Sequence, residues 1–122
     1  MDNPIRFNVY VTVKDGRLED FKQIAEEWSA NNKQGRPDIL SYEWFFSPDQ
    51  KSAQVMELYE SSEAMLATLK KVSESESEEE PDYPYEMTKL EVLGNVSDEL
   101  KERLDAGKSP IEYWGHLNGF TR

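Results

Sequence analysis

Six side chains in this sequence have the types and spacing to build a reactive or ligand-binding site: Asn8, Tyr10, Trp44, Glu57, Tyr59 and His116. Asn8 and Tyr10 share one side of an alternating stretch, so an amide and a phenol could together hold a ligand oxygen. A polar strand face or an interface would use them just as well. Glu43 and Glu57 fall on stretches expected to be neighbouring strands. If they shared a face they would form a carboxyl pair with at least one pKa raised, which suits general acid–base work. Outward-facing or salt-bridged carboxylates would do no chemistry. Trp44 and Tyr59 could stack on a planar ligand, and aromatic core packing accounts for them equally. His116 is the single imidazole, and a terminal segment could lay it over a pocket or use it as an anchor. The pattern assigns none of the six a catalytic role.

Composition removes many alternatives. The chain has no cysteine and one histidine, which excludes disulfides, thiolate metal sites, cysteine nucleophiles and any site with two imidazoles. Neither metal nor cofactor is expected. Fourteen basic against 25 acidic residues leave a net charge of −11, which repels both a phosphate backbone and an anionic membrane surface. No nucleic-acid partner is expected. No apolar run approaches the roughly 20 residues of a membrane span, and the start Met1-Asp2-Asn3-Pro4 lacks the features of a signal peptide, so the expected location is cytoplasmic, with no membrane partner. With 122 residues, 37% of them hydrophobic, the chain suits one domain spanning 1–122.

Those side chains need elements to position them. Ile5, Phe7, Val9, Val11 and Val13 alternate with polar residues and predict a first strand. Leu18, Phe21, Ile24, Ala25 and Trp28 then recur at helical spacing, and this helix is expected to end near Asn31-Asn32. Ile39 to Phe46 and Ala53 to Glu60, joined by Ser47-Pro48-Asp49-Gln50, predict a long hairpin. Ser61 is placed to cap a second helix carrying Met65, Leu66, Leu69 and Val72, which fades by about Ser73. The segment 73–82, serine and glutamate without an apolar anchor, reads as a mobile acidic loop. Met87 to Leu93 predicts a fourth strand, and 97–122 a short helix begun at Ser97 plus an extended aromatic tail.

Two strand–helix–strand halves with antiparallel returns predict an α+β fold of the ferredoxin-like, split βαβ kind: a four-stranded antiparallel sheet with two long helices on one face. The hairpin carries Tyr42, Trp44, Phe45, Phe46, Val55 and Met56, bulky groups for both of its sides. A monomer would leave one such side wet, so a face-to-face homodimer is expected.

Val11-Thr12-Val13-Lys14-Asp15-Gly16 before an amphipathic helix, then Tyr42-Glu43-Trp44-Phe45 and Glu57-Leu58-Tyr59-Glu60-Ser61-Ser62-Glu63-Ala64, resembles the antibiotic biosynthesis monooxygenase domain family over roughly Ile5 to Leu93. The resemblance implies a dimeric α+β barrel with a small apolar pocket between sheet and helices. It also implies cofactor-independent oxidation of a small aromatic or quinol-type ligand, or a non-catalytic binding or accessory role on the same fold. Two departures stand out. Where many members carry a histidine on the second helix this chain has Thr68, and the acidic insert is longer than the usual connection. Of the residues that the haem-degrading branch uses, Asn8 alone matches.

Overall fold

The computed structural model describes residues 4–75, 82–107 and 109–121, in the order β1 (Ile5–Val13), α1 (Leu18–Gly35), β2 (Ile39–Phe46), β3 (Ser52–Tyr59), α2 (Ser62–Ser75), β4 (Tyr85–Leu93), α3 (Asp98–Asp105) and β5 (Ile111–Trp114). Among the described residues no helix is long and apolar enough to cross a membrane.

Alternation in β1 decides where the helices go. Ile5, Phe7, Val11 and Val13 are buried, whereas Arg6 and Thr12 on the opposite side are exposed. The buried side packs against Phe21 of α1, against Ala64 and Met65 of α2, and against Leu100 and Leu104 of α3. All three helices therefore cover one face of the sheet and leave the other open. α1 runs to Gly35, past the pair Asn31-Asn32. Asparagine weakens a helix interior by only a few tenths of a kcal/mol, and the decisive stop is Pro37, which disfavours helical geometry at Arg36. α2 likewise continues through 73–75, since serine and glutamate are tolerated in a last turn. The rest of the acidic segment, 76–81, lies outside the described residues. Asp82 beyond it is tied to Arg17 at 3.2 Å and to Lys14 at 3.8 Å.

The sheet order is β2-β3-β1-β4-β5. The first four strands make the expected ferredoxin-like arrangement, all antiparallel. The expected four-stranded count is corrected by the tail. Ile111–Trp114 pairs with β4, and the pairing is parallel because α3 carries the chain back across the helix face between the two strands. Its ladder is closed by Leu90 N–H to Pro110 O at 2.9 Å and Gly94 N–H to Trp114 O at 2.8 Å.

Gly94, where β4 ends, has φ +126°, and a Cβ there would sit 2.8 Å from the Pro4 carbonyl oxygen and 3.0 Å from an Ile5 methyl. Gly94→Ala should therefore cost about 2 kcal/mol in urea unfolding. Gly119→Ala, at φ +121° with no heavy atom within 4 Å, should cost distinctly less. Equal losses would show that the close contact is harmless.

Candidate functional site

On β3 the helix-facing positions are Ala53, Val55, Glu57 and Tyr59. The carboxyl of Glu57 thus enters the protein on the apolar side of the sheet, with Phe7 opposite it on β1 and Tyr42 opposite it on β2. Glu43 pairs instead with Met56 and points to the other face, so no carboxyl pair forms. Glu57 stands alone among rings. Burial pushes its pKa up to about 7, and a hydrogen bond from the Tyr59 hydroxyl to Oε1 opposes the rise only in part. Tyr59 is 1% exposed and packs edge-on to Phe7 with centroids 5.9 Å apart.

The phenols nearby are held neutral. Burial raises Tyr59, Tyr42 and Tyr85 well above the ordinary phenol range, and the Glu57 charge adds to the rise in each. Glu57 is then the group in this cluster whose charge changes near neutral pH.

Aromatic rings build the rest of the walls. Trp44 meets Phe21 at 5.4 Å, Tyr42 at 6.0 Å and Trp28 at 6.1 Å, centroid to centroid. Tyr85 meets Phe21 at 5.9 Å and Trp28 at 6.4 Å, and stacks on Tyr83 at 5.3 Å. Among the described residues, Trp44 Nε1 is the one buried side-chain polar atom that lacks a hydrogen-bond partner. It lies by the Tyr42 hydroxyl, near enough to oppose the rise in that phenol's pKa without completing a hydrogen bond. Leaving a donor buried without an acceptor costs about 1–3 kcal/mol, so an incoming oxygen at that point would be favoured. A cleft of about 130 Å³ between α1 and β2 is lined by Phe21, Lys22, Ala25, Trp44, Phe45 and Phe46.

The six sequence candidates therefore separate. Trp44, Glu57 and Tyr59 come together on the helix face. Asn8 and Tyr10 lie on the open face, where Asn8 pairs with Met56 and Glu91 across the strands. The Tyr10 hydroxyl hydrogen bonds to the Glu91 carboxylate, and Lys89 sits 5.2 Å over its ring while reaching Glu112 at 3.3 Å. A larger hollow of about 260 Å³ on this face touches Tyr10, with polar Thr12, Ser47, Ser52 and Gln54 among its walls, and Glu57 lines neither hollow. The aromatic cluster is the stronger candidate because it joins a titrating group to an unpaired donor.

His116 lies exposed in the tail, and the tail is anchored there by its backbone, N–H to Asn95 Oδ1 at 3.2 Å. His116→Gln retains that bond. It should change stability by less than about 0.5 kcal/mol in urea unfolding and leave ligand handling unchanged. A larger loss would give the imbalance to the imidazole.

Tyr42 and Tyr85 belong to the site and were not among the sequence candidates. The alternation in Tyr42-Glu43-Trp44 was the available signal for Tyr42, since it puts that residue on the Trp44 side.

Comparison with solved structures bears on this geometry. MupZ from Pseudomonas fluorescens superposes with a TM-score of 0.72 at 18% identity, covering 100% of this chain and 96% of that one. A candidate antibiotic biosynthesis monooxygenase from Caulobacter crescentus CB15 superposes with a TM-score of 0.51 at 22% identity, over 54% of this chain and 63% of that chain. The chain has the antibiotic biosynthesis monooxygenase fold. A conserved protein of unknown function from Bacteroides thetaiotaomicron VPI-5482, described as a possible oxidoreductase, also matches this monooxygenase-like fold, with a TM-score of 0.56 at 20% identity over 75% of this chain and 97% of that one. No family model matches the sequence, and no curated protein does.

Proposed function

We propose that the protein takes a small apolar aromatic substrate of the phenol or quinol type and oxidises it with molecular oxygen without a cofactor, Glu57 acting as the base. The observation that carries this reading is a carboxyl with a pKa of about 7, set among aromatic rings on the same sheet face as a buried indole N–H without a hydrogen-bond partner. A base poised near neutral pH is half ionised and still strong enough to take a proton, the condition for efficient proton transfer. Trp28, Trp44 and Tyr85 offer ring faces and edges to a planar substrate. Trp44 Nε1 would donate to the oxygen on which negative charge develops, where a preset donor in a dry site is worth most.

For an anthrone-type substrate the steps balance. Glu57 removes one proton from the ring methylene, and the resulting carbanion passes one electron to O2. The radical pair joins through a new carbon–oxygen bond, and protonation gives a hydroperoxide. Loss of water breaks the O–O bond and turns the methylene into a carbonyl. One O2 is consumed and one water released. The test is oxygen uptake with anthrone or a naphthoquinol, with the product followed by absorbance. Uptake proportional to protein, yielding the quinone, supports the reading.

Thr68, where an imidazole would strengthen an enzymatic reading, favours a second one: a dimeric binding or accessory protein using the same aromatic cluster. Saturable quenching of tryptophan fluorescence by a naphthoquinone with no oxygen uptake would select it.

A homodimer belongs to the proposal. Phe45 and Met56 stand on the open face, 47% and 39% exposed, with Trp114 at 55% on the edge strand β5. A second copy over this face would cover them. Sedimentation at low micromolar concentration should give about 28 kDa, twice the 14.2 kDa chain, and a monomer there would sink this part.

A further inference from the structure

The Glu57–Tyr59 pair continues away from the aromatic cluster through residues from three separate segments. Arg36, just after α1, donates Nε and Nη2 to the two carboxylate oxygens of Asp38 at 2.9 and 3.0 Å. Nη2 also donates to the Ala64 carbonyl at 2.9 Å, which ties the guanidinium to α2. Nη1 donates to Thr68 Oγ1 at 2.7 Å. The Thr68 side chain in turn lies near enough to the Tyr59 hydroxyl to oppose the rise in that phenol's pKa, and Tyr59 donates to Glu57 Oε1.

One proton arrangement satisfies this chain. A guanidinium has donors only and keeps its protons, so Thr68 must accept from Arg36. A hydroxyl carries a single hydrogen, so Thr68 spends it on Tyr59, and Tyr59 spends its own on Glu57. The series cannot be reversed, because its far end cannot accept. It is no route for proton loss. It fixes which oxygen of Glu57 is occupied.

We propose that Thr68 is a positioning residue: it passes the donor direction of Arg36 to Tyr59, so that Glu57 receives a hydrogen bond on Oε1 and exchanges its proton at Oε2. The inference deepens the reading of Glu57 as the base and rests on it. Among the described residues, no charged side chain shifts the carboxyl. The titratable neighbours are Tyr42 on β2, Tyr59 on β3 and Tyr85 on β4, all held neutral by burial, with Arg36 and Asp38 paired at the far end of the chain. Phe7 of β1, opposite Glu57, and Thr68 of α2 carry no charge.

The test is the Glu57 titration itself, followed by carbon-detected NMR of carboxyl-labelled glutamate in the full chain and assigned by loss of the signal in Glu57→Gln. Thr68→Val keeps the shape and removes the donor. Tyr59 can then turn to accept from the protonated acid, so the neutral form gains and the midpoint should rise by about half to one pH unit, the scale of one hydrogen bond. Thr68→Ser should restore it. A purely structural role would not give that rescue. If Thr68→Val does not fold, Thr68→Ala is read in the same way. An unmoved midpoint, or one that serine does not restore, overturns the inference. Oxygen uptake on the same samples keeps the two readings apart: a shifted midpoint without uptake in wild type removes the oxidase reading alone, and uptake with an unmoved midpoint removes the role of Thr68 alone.

Discussion

Glu57→Gln should lower oxygen-dependent turnover by on the order of a hundredfold or more, because the amide cannot take a proton and Glu43, on the other face of the sheet, cannot replace it. The same change should stabilise the fold at alkaline pH. The folded pKa of about 7 lies above the ordinary carboxyl value of 4.5. Between those values the folded chain holds more protons than the unfolded one, so stability falls as pH rises. The favourable contribution of the neutral acid is complete below about pH 4.5 and is lost through pH 7. Glutamine imitates the neutral acid at every pH and can still accept from Tyr59. Urea unfolding should find the variant and wild type equal near pH 4 and the variant ahead by on the order of 3 kcal/mol near pH 8. A variant that loses stability at both pH values would show that the carboxylate is a structural partner. A stable variant with unchanged turnover would remove Glu57 from the chemistry.

Phe21→Ala should be the most damaging single change on the helix face. Phe21 is 1% exposed and touches Trp44, Phe46 and Tyr85, so its loss empties the junction between α1 and three aromatic rings. Truncating a buried phenylalanine costs about 3–5 kcal/mol, a large part of the roughly 5–15 kcal/mol that holds a domain of this size. The melting temperature should fall by on the order of 10 °C or more. Tryptophan emission should shift to the red as Trp44 gains water. Phe21→Leu, which refills most of the volume, should recover most of both. An alanine variant melting within a few degrees of wild type would mean that the cluster does not depend on this ring.

Local pattern was enough to find the elements that carry the site. Alternation in Ile5–Val13 and helical spacing from Leu18 to Trp28 each reflect one buried face, which the residues record directly. The bounds of the hairpin, Phe46 before the turn and Ala53 after it, even imply the pairing of Tyr42 with Glu57, which excludes Glu43 as its partner. Asn8 and Tyr10 were legible as polar, but their separation from Glu57 depends on which face the helices cover. That follows from packing three helices on the Phe7 side, not from β1 alone. β5 was hidden because four residues carry little periodicity and their partner strand is reached only through α3. Arg36 and Thr68 are 32 positions apart, and no local signal links them. The pKa of Glu57 was unreadable for the same reason: it is set by burial among rings of β1, β2 and β4, which lie far apart in the chain.

The ionisation of Glu57 in the unmodified protein tests the account most directly, since the base, its stability effect and the role of Thr68 all depend on it. Carbon-detected NMR of carboxyl-labelled glutamate between pH 3 and pH 9 should show one side chain, absent from Glu57→Gln, that titrates with a midpoint near 7. A Glu57 signal that titrates between 4 and 5, with the exposed glutamates, would contradict it.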